Sequence, residues 1–395
     1  MSEALATSAG RLTLTSPDAL IASIPHLIGF PPEDSVVLVG IAPDDASHRA
    51  SVRLTQRFDR PASDLPAAAV AQMARQAAGP MITAGCTEVI ITVVGDQRPD
   101  PDRELPDGQL VDALITALDD GDVSIRDALY TDGESRWSYG CDNPSCCPPE
   151  GRLIPDEVRG LVAAEFTVAG VAMVPSRGAL AAELAPADAD ARDDMAGDVR
   201  SAQAERAQAL GYVNDGRPEL GGSGLEAWRD TAIATVSRLS GRDPLPPTDL
   251  ARVAVGLGDI RVRDTALWDL AQPGADHDAV IAGLASIVRQ APDGHVAPAA
   301  TVLAICHWTS GDGARANVAL EHAFADDPDY SLAGLVGTSL HTGLPPQAWT
   351  DSLAGLSREV CRHGEAPATA TPMQAAPAPS PRPRASIASA SPGLT

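Results

Sequence analysis

Residue types able to do chemistry are concentrated in one stretch, Arg136-Trp-Ser-Tyr-Gly-Cys141-Asp-Asn-Pro-Ser-Cys146-Cys147-Pro-Pro-Glu-Gly-Arg152. It holds three of the chain's six cysteines. Zinc takes about four Cys or His ligands in a tetrahedron. Cys141, Cys146 and Cys147 offer three, and His26 or Cys86 is the candidate for another. The spacing departs from ribbon and knuckle patterns: there is no CxxC pair, and adjacent cysteines seldom ligate one ion together. A redox reading pairs Cys141 with Cys146 or Cys147. A third reading is structural, with Trp137 and Tyr139 packed below and small thiols filling tight space. The structural reading is preferred, so reduced thiols and no cofactor are expected, with zinc on Cys141, Cys146, Cys147 and His26 as the alternative.

A second cluster is Pro31-Pro32-Glu33-Asp34-Ser35. Adjacent carboxylates beside a hydroxyl suit a cation or acid–base work, although on a turn they more often stay solvated and satisfy local amides. If this turn and the cysteine loop meet at one end of a sheet, Glu33, Asp34, Arg136, Asp142, Glu150 and Arg152 line one cleft. Trp137 and Tyr139, two apart on a short strand, then share one face. The chain has no GxSxG elbow, no GxGxxG after a strand, no HExxH and no Walker A motif. Gly221-Gly222-Ser223-Gly224 reads as a linker. The chain has no Lys, which excludes a P-loop lysine or a Schiff base. No catalytic residue is assigned.

The elements that position these residues follow from hydrophobic periodicity. Ser16 and Pro17 start a short helix through Pro25. Ser35–Ile41 is a strand buried on both faces, and His48–Gln56 its antiparallel partner after a turn at Asp44-Asp45. Further strands are expected at Glu88–Val94, Val123–Tyr130 and Arg136–Tyr139, with helices at Asp64–Ala78 and Pro106–Leu118. The fold class is α/β, a mixed-sheet sandwich over residues 11–186 carrying the cysteine loop. From 187 to 362 the punctuated apolar pattern is helical throughout. Within it, Leu303-Ala304, His307, Ala316, Leu320, Ala323 and Pro328 resemble a tetratricopeptide-type helix pair, although only one such unit is clear. The Ala-, Pro- and Ser-rich tail, 363–395, and the first ten residues are expected to be disordered or flexible.

Net charge is −24 and every strongly basic residue is Arg. Such an acidic surface repels nucleic acid and anionic membranes, so neither is an expected partner. The N-terminus lacks a signal-peptide pattern. The nearly uncharged run Gly160–Pro175 is too short for a membrane span and is expected to be buried. A cytoplasmic protein is expected, where cysteines are thiols or metal ligands rather than structural disulfides.

Leu14-Thr-Ser-Pro-Asp-Ala-Leu, Pro25-His-Leu-Ile-Gly-Phe-Pro-Pro-Glu-Asp-Ser-Val-Val-Leu-Val-Gly40 and Trp137 through Gly151 closely resemble a family catalogued as domain of unknown function 4192. Val262-Arg263-Asp264, Trp308-Thr-Ser-Gly-Asp-Gly and Asp327-Pro-Asp-Tyr-Ser-Leu332 resemble its C-terminal half. The resemblance implies a cytoplasmic actinobacterial protein and carries over no catalytic residue. The expected function is a ligand- or protein-binding regulatory or scaffold protein, with a small ligand or peptide held near the cysteine loop and the helices as a protein-interaction surface. The alternative is a hydrolase using Glu33, Asp34 or Asp142.

Overall fold

The computed structural model describes residues 16–43, 50–101, 104–141, 143–211, 223–241 and 243–364. The first ten residues, the turn at Asp44-Asp45, Asp142, Gly221-Gly222 and the tail beyond Gly364 lie outside the described residues.

Helix α1 (Pro17–Ile28) starts as its sequence predicts. Ser16 stays extended, its Oγ accepts from the Ala19 amide at 3.2 Å, and Pro17 takes the first helical position. Gly29 ends the helix at a φ of 85°, a left-handed C-cap. Strand β1 (Ser35–Pro43) is buried along nearly its whole length. It pairs antiparallel with β2 (Ala50–Asp59) on one side and β3 (Glu88–Val94) on the other. Helix α2 (Ala67–Thr83) joins β2 to β3, and α3 (Gly108–Asp119) crosses to β4 (Ser124–Thr131), which lies parallel to β3. Strand β5 (Ser135–Ser138) returns antiparallel, and β6 (Arg152–Leu153) ends a sheet of order β2-β1-β3-β4-β5-β6. The mixed sheet matches the sequence reading. Strand β6 was not foreseen, because two residues carry no period.

Alternation along the strands divides the sheet's side chains between two cores. Val36, Leu38, Ile91, Val93 and Tyr130 meet α2 and α3 on one face. Val37, Val39, Ile90 and Leu129 belong to the other core with Ile24 and Ile28 of α1. There α1 packs on α4 (Asp156–Val168).

One expectation is corrected at α4. The run Gly160–Pro175 is largely on the surface: Val162 is the buried residue of α4, while Leu161 and Val168 are 66% and 85% exposed. Its apolar side chains are spread around the helix, and one contact face on α1 cannot cover them all.

The remainder is helical: α5 (Arg177–Ala182), α6 (Ala189–Ala209), α7 (Ser223–Ser237) extended by a 3₁₀ turn over Arg238–Ser240, α8 (Pro247–Leu257), α9 (Ile260–Leu270), α10 (His277–Gln290), α11 (Val296–Thr309), α12 (Gly313–Asp326), α13 (Ser331–His341), α14 (Pro346–Ala354) and α15 (Arg358–His363). Helices α14 and α15 end the stretch read as helical from the sequence. Helix α11 is buried from Ala297 to Trp308 and pairs with α12 through fully buried Ala300, Ala304, Ala316 and Ala323. Asp326 at the end of α12 accepts from the amides of Gly294, Val296 and Ala297 at 2.6–3.0 Å, capping its neighbour's first turn. Among the described residues, no helix is long and apolar enough to cross a membrane.

Candidate functional site

The cysteine loop is built on β5. Successive side chains of a strand face opposite ways, and here that alternation separates the expected site residues. Trp137 is 5% exposed and packs edge-on to Tyr130 at 5.8 Å. Its indole N–H donates to the Pro149 carbonyl at 3.0 Å, which ties the far end of the loop down over the ring. Tyr139 joins the same core, and its hydroxyl donates to the Pro106 carbonyl at 2.6 Å. Burial pushes the Tyr139 pKa well above the ordinary phenol range. Arg136 faces the other way and is buried in an ion pair with Asp18 of α1. It therefore does not line a cleft with the loop, and the expected grouping of Arg136 with the acidic candidates is not formed. The strand pleat explains the correction.

The loop itself is held by its own backbone. Asn143 makes a tight turn: its carbonyl accepts from the Cys146 and Cys147 amides at 3.1 and 2.8 Å, and its side chain accepts from the Ser145 amide at 3.0 Å. Gly151 has a φ of 84°, and a Cβ there would lie 2.4 Å from the Trp137 ring, so both conformation and space require glycine. The Arg98 guanidinium lies 5.9 Å from the Trp137 ring centroid and donates to the Glu150 carbonyl at 2.8 Å. The turn gathers the sulfurs of Cys141, Cys146 and Cys147 to within 4.8 Å of one another, with Cys141 and Cys146 in contact at 3.3 Å. Burial, and then the two neighbouring thiols, push the Cys147 pKa up to about 12.

The proposed additional ligands are not in this group. His26 sits on α1, its ring stacked 4.6 Å from Phe166 and its buried Nδ1 without a hydrogen-bond partner among the described residues. Cys86 is buried where a Cβ on Gly40 of β1 would meet its sulfur at 2.4 Å.

The acidic turn is organised by a residue the sequence reading overlooked, Arg60. Its Nη1 meets Asp34 Oδ1 at 2.7 Å and its Nε meets Asp107 Oδ2 at 2.8 Å. The Arg60 amide also donates to the Asp34 carbonyl at 3.1 Å. Both aspartates hold positive φ, 43° at Asp34 and 60° at Asp107, a conformation Asp tolerates better than most residues. Asp107 follows Pro106, whose carbonyl accepts the hydrogen bond from the Tyr139 hydroxyl, so Arg60 links the acidic turn to the base of the cysteine loop. Beside it, the Tyr130 hydroxyl donates to the Gln97 carbonyl at 2.7 Å. The Pro-Asp-Gly run at 106–108 was a turn signal that could have singled out Asp107. Glu33, Glu150 and Arg152 are exposed. Arg152 lies opposite Arg136 in the β5–β6 register.

A larger concavity lies elsewhere. Strand β2 is one edge of the sheet, and residues 52 through 59 line a cleft of about 840 Å³. Its other wall comes from the helical half, including Trp308, Asn317, Leu340 and Leu344, with Phe30 from the turn after α1. Gly343, at a φ of 71°, closes one part of this junction: a Cβ there would lie 2.5 Å from the Pro80 carbonyl oxygen.

The fold is thus a mixed α/β sheet unit joined to a helical array, with a three-thiol loop at one sheet edge and a cleft at the other. The chain belongs to the family described as Domain of unknown function (DUF4192), whose model matches residues 17–347 and so spans both halves. Searches of curated proteins and of solved structures found no match.

Proposed function

We propose that the protein is a binding or scaffold protein that takes an extended peptide segment of a partner protein into the cleft along β2. One observation carries this reading: consecutive residues 52–59 of an edge strand line a large cleft. An edge strand offers a row of backbone donors and acceptors to an added strand. Phe30, Leu340 and Leu344 offer apolar contacts for alternate side chains of the guest. The α11–α12 hairpin, read as tetratricopeptide-like, forms part of the opposite wall. An acidic surface in an actinobacterial cytoplasm fits a protein or peptide partner better than nucleic acid.

The hydrolase alternative gains no support from the geometry around its carboxylates. Asp34 is engaged by Arg60, Glu33 is exposed, and Asp142 lies outside the described residues. The test is to pan a randomised peptide library against the full chain and follow hydrogen exchange of the winners' complexes. Bound peptide should protect amides between 52 and 59, and Asn317→Trp, which fills the cleft, should abolish binding without altering the melting temperature. Peptides that bind with β2 unprotected would refute the reading.

A further inference from the structure

The three-thiol loop is not used by the peptide cleft, and its geometry points to chemistry of its own. We propose that Cys141, Cys146 and Cys147 form a thiolate site for one thiophilic d¹⁰ cation, Zn²⁺ or Cu⁺, with any further coordination position filled by a ligand from outside the loop. Soft thiolates select Cu⁺ and Zn²⁺ over hard cations.

Sulfur spacing is the first support. Around a tetrahedral zinc with Zn–S near 2.3 Å, ligand sulfurs lie about 3.8 Å apart. Here the three sulfurs all lie within 4.8 Å of one another, and the Cys141–Cys146 pair is at 3.3 Å. Small side-chain rotations would bring such a set onto one ion. The second support is the way the backbone removes the objection raised by adjacent cysteines. Because the Cys146 and Cys147 amides both converge on the Asn143 carbonyl, the chain turns tightly there, and both thiols face Cys141. Third, the scaffold that presents them is tied together by the protein itself. Trp137 to Pro149, Arg98 to Glu150 and the Asn143 turn are all protein–protein hydrogen bonds. A ligand set held in place before binding loses less entropy when the ion arrives. Cys146 is exposed, which leaves an approach for the ion and for an outside ligand.

The test uses the full chain, reduced and handled without oxygen. Zn²⁺ and, separately, Cu⁺ are titrated in competition with a chromogenic chelator, and Cd²⁺ replaces zinc to read sulfur-to-metal absorption. The expected result is one ion per chain with an absorption intensity set by three thiolates. Cys141→Ser or Cys147→Ser should weaken binding by more than the roughly 10–100-fold that follows loss of a supporting hydrogen bond around a metal. The triple serine variant should bind none at the same concentrations, whereas Cys361→Ser, a change at a buried thiol in α15, should bind as the parent does. Tight binding of zinc alone or copper alone identifies the ion and supports the site. Failure of both ions, or binding that survives the triple variant, overturns it. If Cys147→Ser perturbs folding, seen as a shifted melt without metal, Cys146→Ser at the exposed position decides instead.

Discussion

On the face that carries Val36, Leu38, Ile91 and Trp137, helices α2 and α3 close a core drawn from residues between Val36 and Trp137. The opposite face, with Val37, Val39 and Ile90, joins a core that continues through Leu180 and Leu184 to Ala304 and Leu320. The first core draws on one stretch of chain, Val36 to Trp137, whereas the second draws on both halves, from Leu20 to Val336. Backbone links reinforce the second arrangement: Val174 donates to the Gly29 carbonyl at 2.9 Å and Ala187 to the Arg289 carbonyl at 2.8 Å. The change from α/β to all-helical sequence near Pro186–Asp190 is thus crossed by a continuous apolar core. The thiol loop is fastened to the local core through Trp137, whereas the peptide cleft lies where the two halves meet. Leu54 and Phe58 of the cleft also pack on the first core, but Trp137 does not line the cleft, so a perturbation confined to Trp137 should leave the cleft largely intact.

The largest expected effect is Trp137→Ala. It empties a buried position and removes the hydrogen bond to Pro149, so it should cost about 3–5 kcal/mol in denaturant unfolding. In the same variant the thiol loop should lose its metal affinity while peptide binding persists at temperatures where the protein stays folded. A cost near zero would mean that the ring does not clamp the loop.

Next is Arg136→Met on the opposite face. It strands the Asp18 carboxylate in a buried setting, and breaking one side of a buried pair costs about 3 kcal/mol or more. Adding Asp18→Leu should recover most of that loss, because the two apolar side chains can then pack together. If the double variant is as unstable as the single, the pair is not what joins α1 to the sheet.

A smaller effect separates the cores by pH. His307 of α11 has its pKa lowered, chiefly by burial. Its unfolded form binds protons more readily, so its contribution is present above about pH 6.5 and is lost as pH falls below that value. Fluorescence of Trp308 and Trp349, whose rings lie 6.1 Å apart, should report this acid loss. His26, His295 and His322 are lowered by burial as well and contribute with the same sign, so His307→Gln should make the acid limb shallower without abolishing it, and an unchanged limb would remove His307 as one of its sources.

Sequence alone located much of the sheet because its strands are short β-branched runs bounded by turns. Glu88–Val94 coincides with β3, and Ser16-Pro17 marks α1. Periodicity failed where apolar content lacked direction, as in α4, and where an element was too short, as in β6. The cysteine loop was legible from composition, but the convergence of its thiols depends on the Asn143 turn, a backbone geometry that spacing rules do not encode. Arg60 and Asp107 stand 47 residues apart and meet only through tertiary folding. The cleft along β2 was equally hidden, since its far wall comes from helices more than two hundred residues later.

The smallest expected effect concerns Tyr139, which joins the local core to the turn before α3. Tyr139→Phe removes one hydrogen bond, to Pro106, and should cost about 1 kcal/mol at neutral pH. Its signature lies in alkali. Burial, followed by the negative charge of Asp107, raises the folded pKa of this phenol above its unfolded value. Below about pH 10 both states keep the proton and the stabilisation is complete. Above that the unfolded chain ionises first, so stability falls as pH rises toward the folded pKa. Tyr130 is also raised by burial and contributes a slope of the same sign. The parent should therefore lose stability above about pH 10 more steeply than Tyr139→Phe, and the two curves should converge as the neutral-pH cost is offset. Parallel curves would mean that the Tyr139 hydroxyl reaches solvent, and with it that the core beneath the thiol loop is open rather than sealed.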